Sequence, residues 1–279
     1  MSPGIFTRGT NGGAVILIHG LTGTPNEMNF LANRLHRAGF SVLCPRLANH
    51  DRSLKVLRNT PWQDFYGTVR QAYFKAREYS DTIFVSGLSM GALLALLLAD
   101  EFPQAIAGVS CLSPTLFYDG WNSPWYRCFL QAAYWSQVHR FLYFQENPPY
   151  GIKNEAIRQK VHEHFSKVNT ENSADIDRYG YPLFPVSQLR QLELMVRYLK
   201  KRLSHIHSPV QIIQAREDDM TSVRNAEFIY NRVSSKDKEI VLLEDSYHIV
   251  TADQERGKVL ESMQKFFMRY SHQMRPVHA

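Results

Sequence analysis

The sequence lacks the features that place a protein in or across a membrane. No continuous apolar run approaches the roughly 20 residues that a membrane-spanning helix needs. The first eleven residues lack the basic segment followed by an apolar segment that marks a secretory signal. Only three cysteines occur (Cys44, Cys111 and Cys128), and none has CxxC or zinc-site spacing. We therefore expect a cytoplasmic protein without a metal site, in which Cys44 and Cys111 are small buried residues.

Internal repeats and low-complexity tracts are also missing from the 279 residues. The densest basic run, at 197–202, is interpreted as a solvated helix face, so we expect no nucleic-acid partner. Apolar residues make up 44% of the chain and charged residues 21%, which is typical of a globular protein with a sizeable core. The formal net charge of +6 either favours acidic or phosphate-bearing ligands or serves only solubility.

Apolar, β-rich runs alternate with segments of helical spacing along most of the chain. The first run, residues 14–18, is continuous, as expected for a strand buried on both faces of a parallel sheet. Further strands are predicted at 40–44, 82–85, 106–112, 210–214 and 239–243, and helices at 62–79, 90–101, 225–233 and 253–270. This alternation predicts an α/β fold with a doubly wound, mostly parallel sheet.

Residues 114–208 interrupt the alternation. The segment is too long for a crossover, has helical stretches at 154–165 and 187–203, and is punctuated by prolines. We interpret it as a helical cap inserted into a core domain formed by 1–113 and 209–279. Twelve aromatic residues lie between positions 117 and 150; Trp121, Trp125 and Phe129 are candidates to bind substrate. Three roles are open for these rings: lining an acyl pocket, contacting a membrane, or packing within the cap.

The pentapeptide Gly87-Leu88-Ser89-Met90-Gly91 stands between a predicted strand and a predicted helix. GxSxG in this setting is typical of a nucleophile elbow, since glycines permit the sharp turn and the helix N-terminus favours developing negative charge. Ser89 is therefore the predicted nucleophile. The backbone N–H groups of Met90 and of Leu21, in the loop after the first strand, are the predicted oxyanion donors. His19, in that same loop, is interpreted as a structural hydrogen-bonding residue.

A serine nucleophile needs a base. Of the eleven histidines, His248 lies between the last predicted strand and the final helix, at the carboxyl edge of the sheet, where α/β folds build their sites. The acid that orients this base should follow the preceding strand, where Glu217, Asp218 and Asp219 stand together. The spacing predicts a triad in the order serine, acid, histidine, and leaves three carboxylates open.

Four segments, 15–25, 85–92, 214–219 and 245–255, resemble bacterial carboxylesterases related to monoacylglycerol lipases, in the serine-aminopeptidase-like branch of the α/β hydrolases. The resemblance implies an α/β-hydrolase fold, a helical cap over an acyl pocket, no cofactor, Asp218 as the triad acid, and Leu21 and Met90 as oxyanion donors. The family's Gly-His-Gly turn is replaced by Ala48-Asn49-His50-Asp51-Arg52, which removes residues that adopt positive φ easily.

The expected protein is a serine carboxylesterase that hydrolyses short-to-medium-chain esters, monoacylglycerols among them, through an acyl-enzyme on Ser89. A thioesterase for acyl-CoA or carrier-protein substrates is the alternative within this class, favoured by the positive charge. A non-catalytic ligand-binding homologue is the alternative from another class; it would have no chemical need for Ser89, Asp218 and His248 together. The sequence leaves the oligomeric state open.

Overall fold

A seven-stranded sheet forms the centre of the protein, in a computed structural model that describes residues 4–123, 130–168, 176 and 180–271. Its strands are β1 (Ile5–Thr7), β2 (Gly13–Ile18), β3 (Ser41–Cys44), β4 (Thr82–Leu88), β5 (Ile106–Leu112), β8 (Val210–Ala215) and β9 (Lys238–Leu243); β6 (Tyr143–Gln145) and β7 (Leu183–Pro185) form a separate pair. Their order in the main sheet is β1-β3-β2-β4-β5-β8-β9. The strands of this sheet run parallel, except that β1 pairs antiparallel with β3.

Helices connect these strands and cover both faces of the sheet. They are α1 (Asn29–Arg37), α2 (Leu54–Leu57), α3 (Trp62–Arg77), α4 (Met90–Glu101), α5 (Leu130–Trp135), α6 (Glu155–Phe165), α7 (Val186–Lys200), α8 (Arg224–Arg232) and α9 (Arg256–Ser271). Short 3₁₀ turns occur at Pro25–Met28, Val138–Arg140 and Leu203–His205. The first of these turns begins after Thr24, whose side chain accepts a hydrogen bond from the Asn26 N–H.

The core lies in two layers, one on each face of the sheet. On one face α1 and α9 pack through residues such as Leu35 and Phe267. On the other face α3, α4, α7 and α8 pack through residues such as Phe65 and Leu192. Strands β2, β3 and β8 are buried along their whole length. Burial on both faces explains why these strands are continuous apolar runs without polar alternation.

The predicted doubly wound, mostly parallel sheet is confirmed. Every strand and helix predicted by its range lies within three residues of those bounds in the structure. The sequence patterns did not predict β1, β6 and β7, because three residues are too few to show a period. Cys44 and Cys111 are buried free thiols, as expected, and Cys128 lies outside the described residues.

The segment 114–208, predicted to form a cap, contains α5, α6, α7 and the β6–β7 pair. Its last helix, α7, packs against α3 and α4 through an apolar face that includes Met195 and Leu199. The C-terminal part of this segment is therefore continuous with the core, and the domain boundaries stay a prediction. In the described part of the chain, no helix combines the length and apolar character needed to cross a bilayer.

Candidate active site

Ser89 lies at the sharp turn between β4 and α4. Its backbone has φ +57° and ψ −116°, a conformation that non-glycine residues seldom adopt and that costs on the order of 1–3 kcal/mol. A Cβ on Gly87 would lie 2.2 Å from the Gly91 carbonyl, and a Cβ on Gly91 would lie 2.3 Å from the Ile18 carbonyl oxygen. Both glycines are thus required by close backbone contact, which explains the GxSxG spacing.

The Ser89 N–H donates to the Leu112 carbonyl at 2.8 Å, which anchors the turn to the end of β5. The Ser89 hydroxyl lies 2.9 Å from the Thr115 hydroxyl, and Thr115 is itself fully buried. Thr115 is not among the predicted site residues. Its position just after β5, at the carboxyl edge of a parallel sheet, is the signal that could have found it.

His248 and Asp218 form a buried pair. His248 Nδ1 lies 2.9 Å from Asp218 Oδ2 and 3.1 Å from Oδ1. Since an ionised carboxylate only accepts, Nδ1 donates and Nε2 is left as the basic nitrogen. Asp218 also accepts from the N–H groups of Met220 and Thr221, both at 2.8 Å. Two side chains complete its environment: Gln214 Nε2 at 2.8 Å and the Thr221 hydroxyl at 3.0 Å. These bonds fix the carboxylate against the imidazole.

The three neighbouring carboxylates have separate partners. Glu217 is exposed and pairs with Lys153, with its Oε2 2.7 Å from Nζ. Asp219 accepts from two backbone N–H groups, that of His248 at 3.3 Å and that of Gly151 at 3.2 Å. Of these three carboxylates, Asp218 is the one that bonds the imidazole ring. The geometry therefore separates three carboxylates that the spacing alone left equivalent.

The pKa of His248 lies above its ordinary value. Burial alone would lower it, because the charged imidazolium loses its hydration. The charge and hydrogen bond of Asp218, with further contributions from Asp219 and Glu27, outweigh burial and raise the pKa. Nearby negative charge thus favours the imidazolium that forms when this histidine takes up a proton.

The loop after β2 carries the predicted oxyanion donor Leu21. Within the residues that the structure describes, the Leu21 N–H has no hydrogen-bond acceptor. Met90 is the first residue of α4, so its N–H also has no acceptor within the helix. His19 Nε2 accepts from the Leu47 N–H at 3.1 Å and His50 Nε2 lies 2.7 Å from the Leu21 carbonyl oxygen. Both histidines therefore hold this loop in place. Burial lowers the pKa of each.

The turn that replaces the family's Gly-His-Gly sequence retains one residue at positive φ. Asn49 adopts φ +62°, a conformation that asparagine tolerates better than most residues. The hydroxyl of Tyr181, a residue of the predicted cap segment, donates to the Arg52 carbonyl at 2.6 Å and stabilises this turn. Asn49 thus adopts the positive φ that a glycine would provide. The turn still places His50 in contact with the loop that carries Leu21.

Glu27 is a carboxylic acid beside Ser89 that the sequence analysis did not identify. Its Oε2 accepts from the Gly20 N–H at 3.2 Å. A Cβ on Gly20 would lie 3.6 Å from that oxygen and 3.7 Å from the Ser89 Cβ, so Glu27 and Ser89 flank the same glycine. Burial raises the pKa of Glu27 to about 7, opposed by the Gly20 hydrogen bond and the charge of His248. The Thr-x-x-Glu spacing from Thr24 was the available signal.

A pocket of about 900 Å³ opens from this site toward the segment 114–208. Its lining combines residues after β5, the β6–β7 region and α7, with Thr115, Glu146 and Asp219 at the catalytic end. Burial, with the charge of Asp219, raises the pKa of Glu146 to about 7. Of the predicted substrate-binding residues, Trp121 lines the pocket, whereas Trp125 and Phe129 lie outside the described residues.

Across the described ranges, no group of three or more His, Cys, Asp or Glu side chains is arranged to hold a metal ion. The described side chains at the site supply hydroxyls, an imidazole and carboxyl groups, and the Leu21 and Met90 N–H groups lie beside them. These are the components of acyl transfer through a covalent intermediate.

This fold and this arrangement are those of the α/β-hydrolase class. The chain belongs to the serine aminopeptidase, S33, family, whose model matches residues 9–255. It is 29% identical over 257 residues to the thermostable monoacylglycerol lipase of Bacillus sp. (strain H-257), covering 92% of this chain and 91% of that protein. It is 25% identical over 272 residues to the carboxylesterase of Bacillus subtilis (strain 168), covering 95% and 96%. A solved structure of a metagenome-derived lipolytic enzyme has 28% identity and a TM-score of 0.75, covering 95% and 96%.

Proposed function

We propose that this protein hydrolyses short-to-medium-chain carboxylic esters, monoacylglycerols among them, through an acyl-enzyme on Ser89. The observation that carries the proposal is the buried Asp218–His248 pair, which follows strands at the same carboxyl edge of the sheet as Ser89, a buried serine held at positive φ. The names of the Bacillus relatives, a lipase and a carboxylesterase, confirm the predicted class, a carboxylic ester hydrolase. The length of the acyl chain and the identity of the alcohol are the parts that we propose.

In the proposed reaction His248 Nε2 takes the proton of the Ser89 hydroxyl while Oγ attacks the ester carbonyl. The hydroxyl first leaves Thr115, its partner at 2.9 Å, by rotation about the Ser89 side chain. Asp218 holds the imidazole in the required tautomer. The Leu21 and Met90 N–H groups stabilise the oxyanion, each contributing on the order of 3 kcal/mol. The alcohol leaves with a proton from His248, and water then releases the acid by the reverse sequence.

A fluorophosphonate probe tests the nucleophile directly. We expect the wild-type protein to be labelled and to hydrolyse 4-nitrophenyl butyrate, and Ser89→Ala to lose both properties while keeping its melting temperature. Ser113→Ala is a matched control, because Ser113 is also buried and also at positive φ (+43°) just after a neighbouring strand. Absence of labelling in folded wild-type protein would favour the non-catalytic alternative instead.

The acyl preference is tested with a 4-nitrophenyl ester series from acetate to palmitate. The apolar pocket lining, which includes Leu116, Phe184 and Leu192, supports a preference for chains longer than acetate. We expect kcat/KM to rise from acetate to a medium chain. A maximum at acetate would exclude this pocket as the acyl site.

Contact with a lipid surface is a second proposal, supported by exposed apolar side chains in the segment 114–208. Trp135 is 89% exposed and Phe141 is 73% exposed, in a region of adjacent residues that also exposes Val138 and Leu142. Exposed aromatic clusters of this kind bind membrane interfaces. We expect Trp135→Ser with Phe141→Ser to reduce activity on emulsified tributyrin but not on dissolved 4-nitrophenyl butyrate. An equal change on both substrates would contradict this role. The predicted cytoplasmic location is kept as part of the proposal.

A further inference from the structure

Basic side chains surround two phenylalanine rings beside the pocket. The rings of Phe117 and Phe228 meet edge to face, with centroids 5.4 Å apart. Lys200 Nζ lies 3.9 Å from the Phe117 centroid and 5.2 Å from that of Phe228. The guanidinium of Arg224 lies 4.6 Å from the Phe117 centroid, and that of Arg232 lies 4.9 Å from the Phe228 centroid. The last turn of α7 and the two ends of α8 thus place three cations around this pair of rings.

These cations have no acidic partner within ion-pair distance among the residues that the structure describes. The contrast with basic residues at and near α7 is clear, since Arg190 pairs with Glu193 and Arg202 pairs with Asp100. Burial, together with the charges of Arg224 and Arg232, lowers the pKa of Lys200. Since no carboxylate of the described residues forms an ion pair with Lys200, Arg224 or Arg232, their positive charge is not compensated beside the pocket.

The cationic group is continuous with the proposed catalytic site. Arg197 and Lys200 are three residues apart on α7, share one face of the helix and both line the pocket. Thr115, 2.9 Å from the Ser89 hydroxyl, lines the same pocket. A bound ester with its carbonyl at Ser89 therefore has a path along which a polar substituent reaches Arg197 and Lys200.

We propose that Lys200 and Arg224, with Arg197 and Arg232 beside them, bind a phosphate group on the leaving-group side of an acyl ester or thioester. The inference rests on the proposed hydrolase function and adds a substrate class to it. Lysine and arginine form strong charge-assisted hydrogen bonds with phosphate oxygens, and several unpaired cations suit a multiply charged anion. In the reaction the acyl C–O or C–S bond breaks. Water supplies hydroxide to the acyl group and a proton to the alcohol or thiol, and the phosphate stays intact.

Matched substrate pairs test this site. The first pair is 1-decanoylglycerol and 1-decanoylglycerol 3-phosphate; the second is S-decanoyl-N-acetylcysteamine and decanoyl-CoA. The variant is Lys200→Gln with Arg224→Gln, and its control is Lys201→Gln with Lys236→Gln, which removes the same charge from exposed positions outside the pocket lining. The readout is the ratio of kcat/KM for the phosphate-bearing substrate to that for its neutral partner.

We expect the wild-type ratio to exceed one in at least one pair, and the pocket variant to lower it at least about tenfold, the effect of roughly 1.4 kcal/mol. The control variant should leave the ratio within about twofold. A preference confined to the first pair identifies a lipid phosphate, and one confined to the second identifies a pantetheine-linked phosphate. A wild-type ratio at or below one in both pairs would overturn the proposal, as would equal effects of the two variants.

A binding measurement separates failure of this site from failure of the proposed function. Isothermal titration of Ser89→Ala protein with 1-decanoylglycerol 3-phosphate requires no catalysis. Binding that is lost when Lys200→Gln and Arg224→Gln are added supports the phosphate site, whether or not the wild-type protein hydrolyses any ester. Hydrolysis of 1-decanoylglycerol with no such binding supports the hydrolase and rejects the phosphate site.

Discussion

Replacement of Asp218 by asparagine tests the geometry of the site most sharply. Asp218 Oδ1 accepts two backbone N–H groups, and Oδ2 faces three donors: Gln214 Nε2, the Thr221 hydroxyl and His248 Nδ1. An asparagine can place its oxygen at only one of these positions. Its oxygen at Oδ1 keeps both backbone bonds, because those N–H groups cannot reorient, whereas the Gln214 amide and the Thr221 hydroxyl can rotate to present an oxygen to the new NH₂. The new amide NH₂ then faces His248 Nδ1.

That placement changes the tautomer of His248. Two donors cannot share a hydrogen bond, so Nδ1 becomes the acceptor and the proton moves to Nε2. Nε2, the nitrogen that should accept the proton of Ser89, then already carries a proton. We expect Asp218→Asn to lower kcat on 4-nitrophenyl butyrate by on the order of 10⁴-fold, with KM and the circular dichroism spectrum little changed.

The neighbouring carboxylates provide matched controls. Glu217→Gln removes an exposed charge that pairs with Lys153, so kcat should stay within about twofold of wild type. Asp219→Asn weakens backbone bonds at His248 and Gly151 without touching the ring, and should have an intermediate effect. The reasoning is refuted if Asp218→Asn keeps more than about a tenth of the wild-type kcat while either neighbour loses it.

Glu27→Gln keeps an acceptor for the Gly20 N–H but removes a charge that raises the pKa of His248. The acid limb of the pH profile of kcat/KM should therefore move to lower pH. A shift to higher pH would contradict this. Glu27 has a folded pKa near 7, above its unfolded value, so its ionisation destabilises the fold as pH rises, and the variant should raise the melting temperature more at pH 8 than at pH 5. Gly91→Ala places a Cβ 2.3 Å from a carbonyl oxygen and should strongly lower the urea concentration at the unfolding midpoint. Gly67→Ala in α3 is the control, because its Cβ meets no atom within 4 Å, and it should raise the free energy of unfolding by about 0.5–1 kcal/mol. Trp121→Ala should raise KM about three- to tenfold with kcat nearly unchanged, because Trp121 lines the pocket; a fall in kcat alone would exclude this role.

The sequence was sufficient where structure is determined by local contacts. The elbow at Ser89 needs only a buried strand, two glycines and a helix, all within about twenty consecutive residues. The strands β2 and β8 were predictable because helices bury both of their faces, which makes each a continuous apolar run. The same locality explains why β1 escaped prediction, since its three residues are half-buried or exposed and carry no pattern.

The choice among Glu217, Asp218 and Asp219 could not be made from the local sequence pattern. All three follow one strand, and their difference arises from partners contributed by other segments: Lys153, His248 and Gly151. Resemblance to a family selected Asp218, and Asp218 is the one of the three that bonds the His248 ring. Glu146 also comes from a segment distant in sequence, so no spacing relative to Ser89 could indicate it.

The pocket has opposite charges at its two ends, and this polarity restricts how an ester can bind. Glu146 and Asp219 lie at the catalytic end, where the charges of Asp219 and Glu27 raise the pKa of His248. As these carboxyl groups ionise, they repel anions. Lys200 and Arg197 line the pocket at the C-terminal end of α7, which is its basic end. A free fatty acid product, which is anionic, is therefore repelled from the catalytic end once it forms, whereas an anionic substituent of the substrate is attracted away from it. This arrangement favours substrates whose charge lies far from the scissile carbonyl, and it makes the basic end of the pocket a determinant of specificity separate from the chemistry at Ser89.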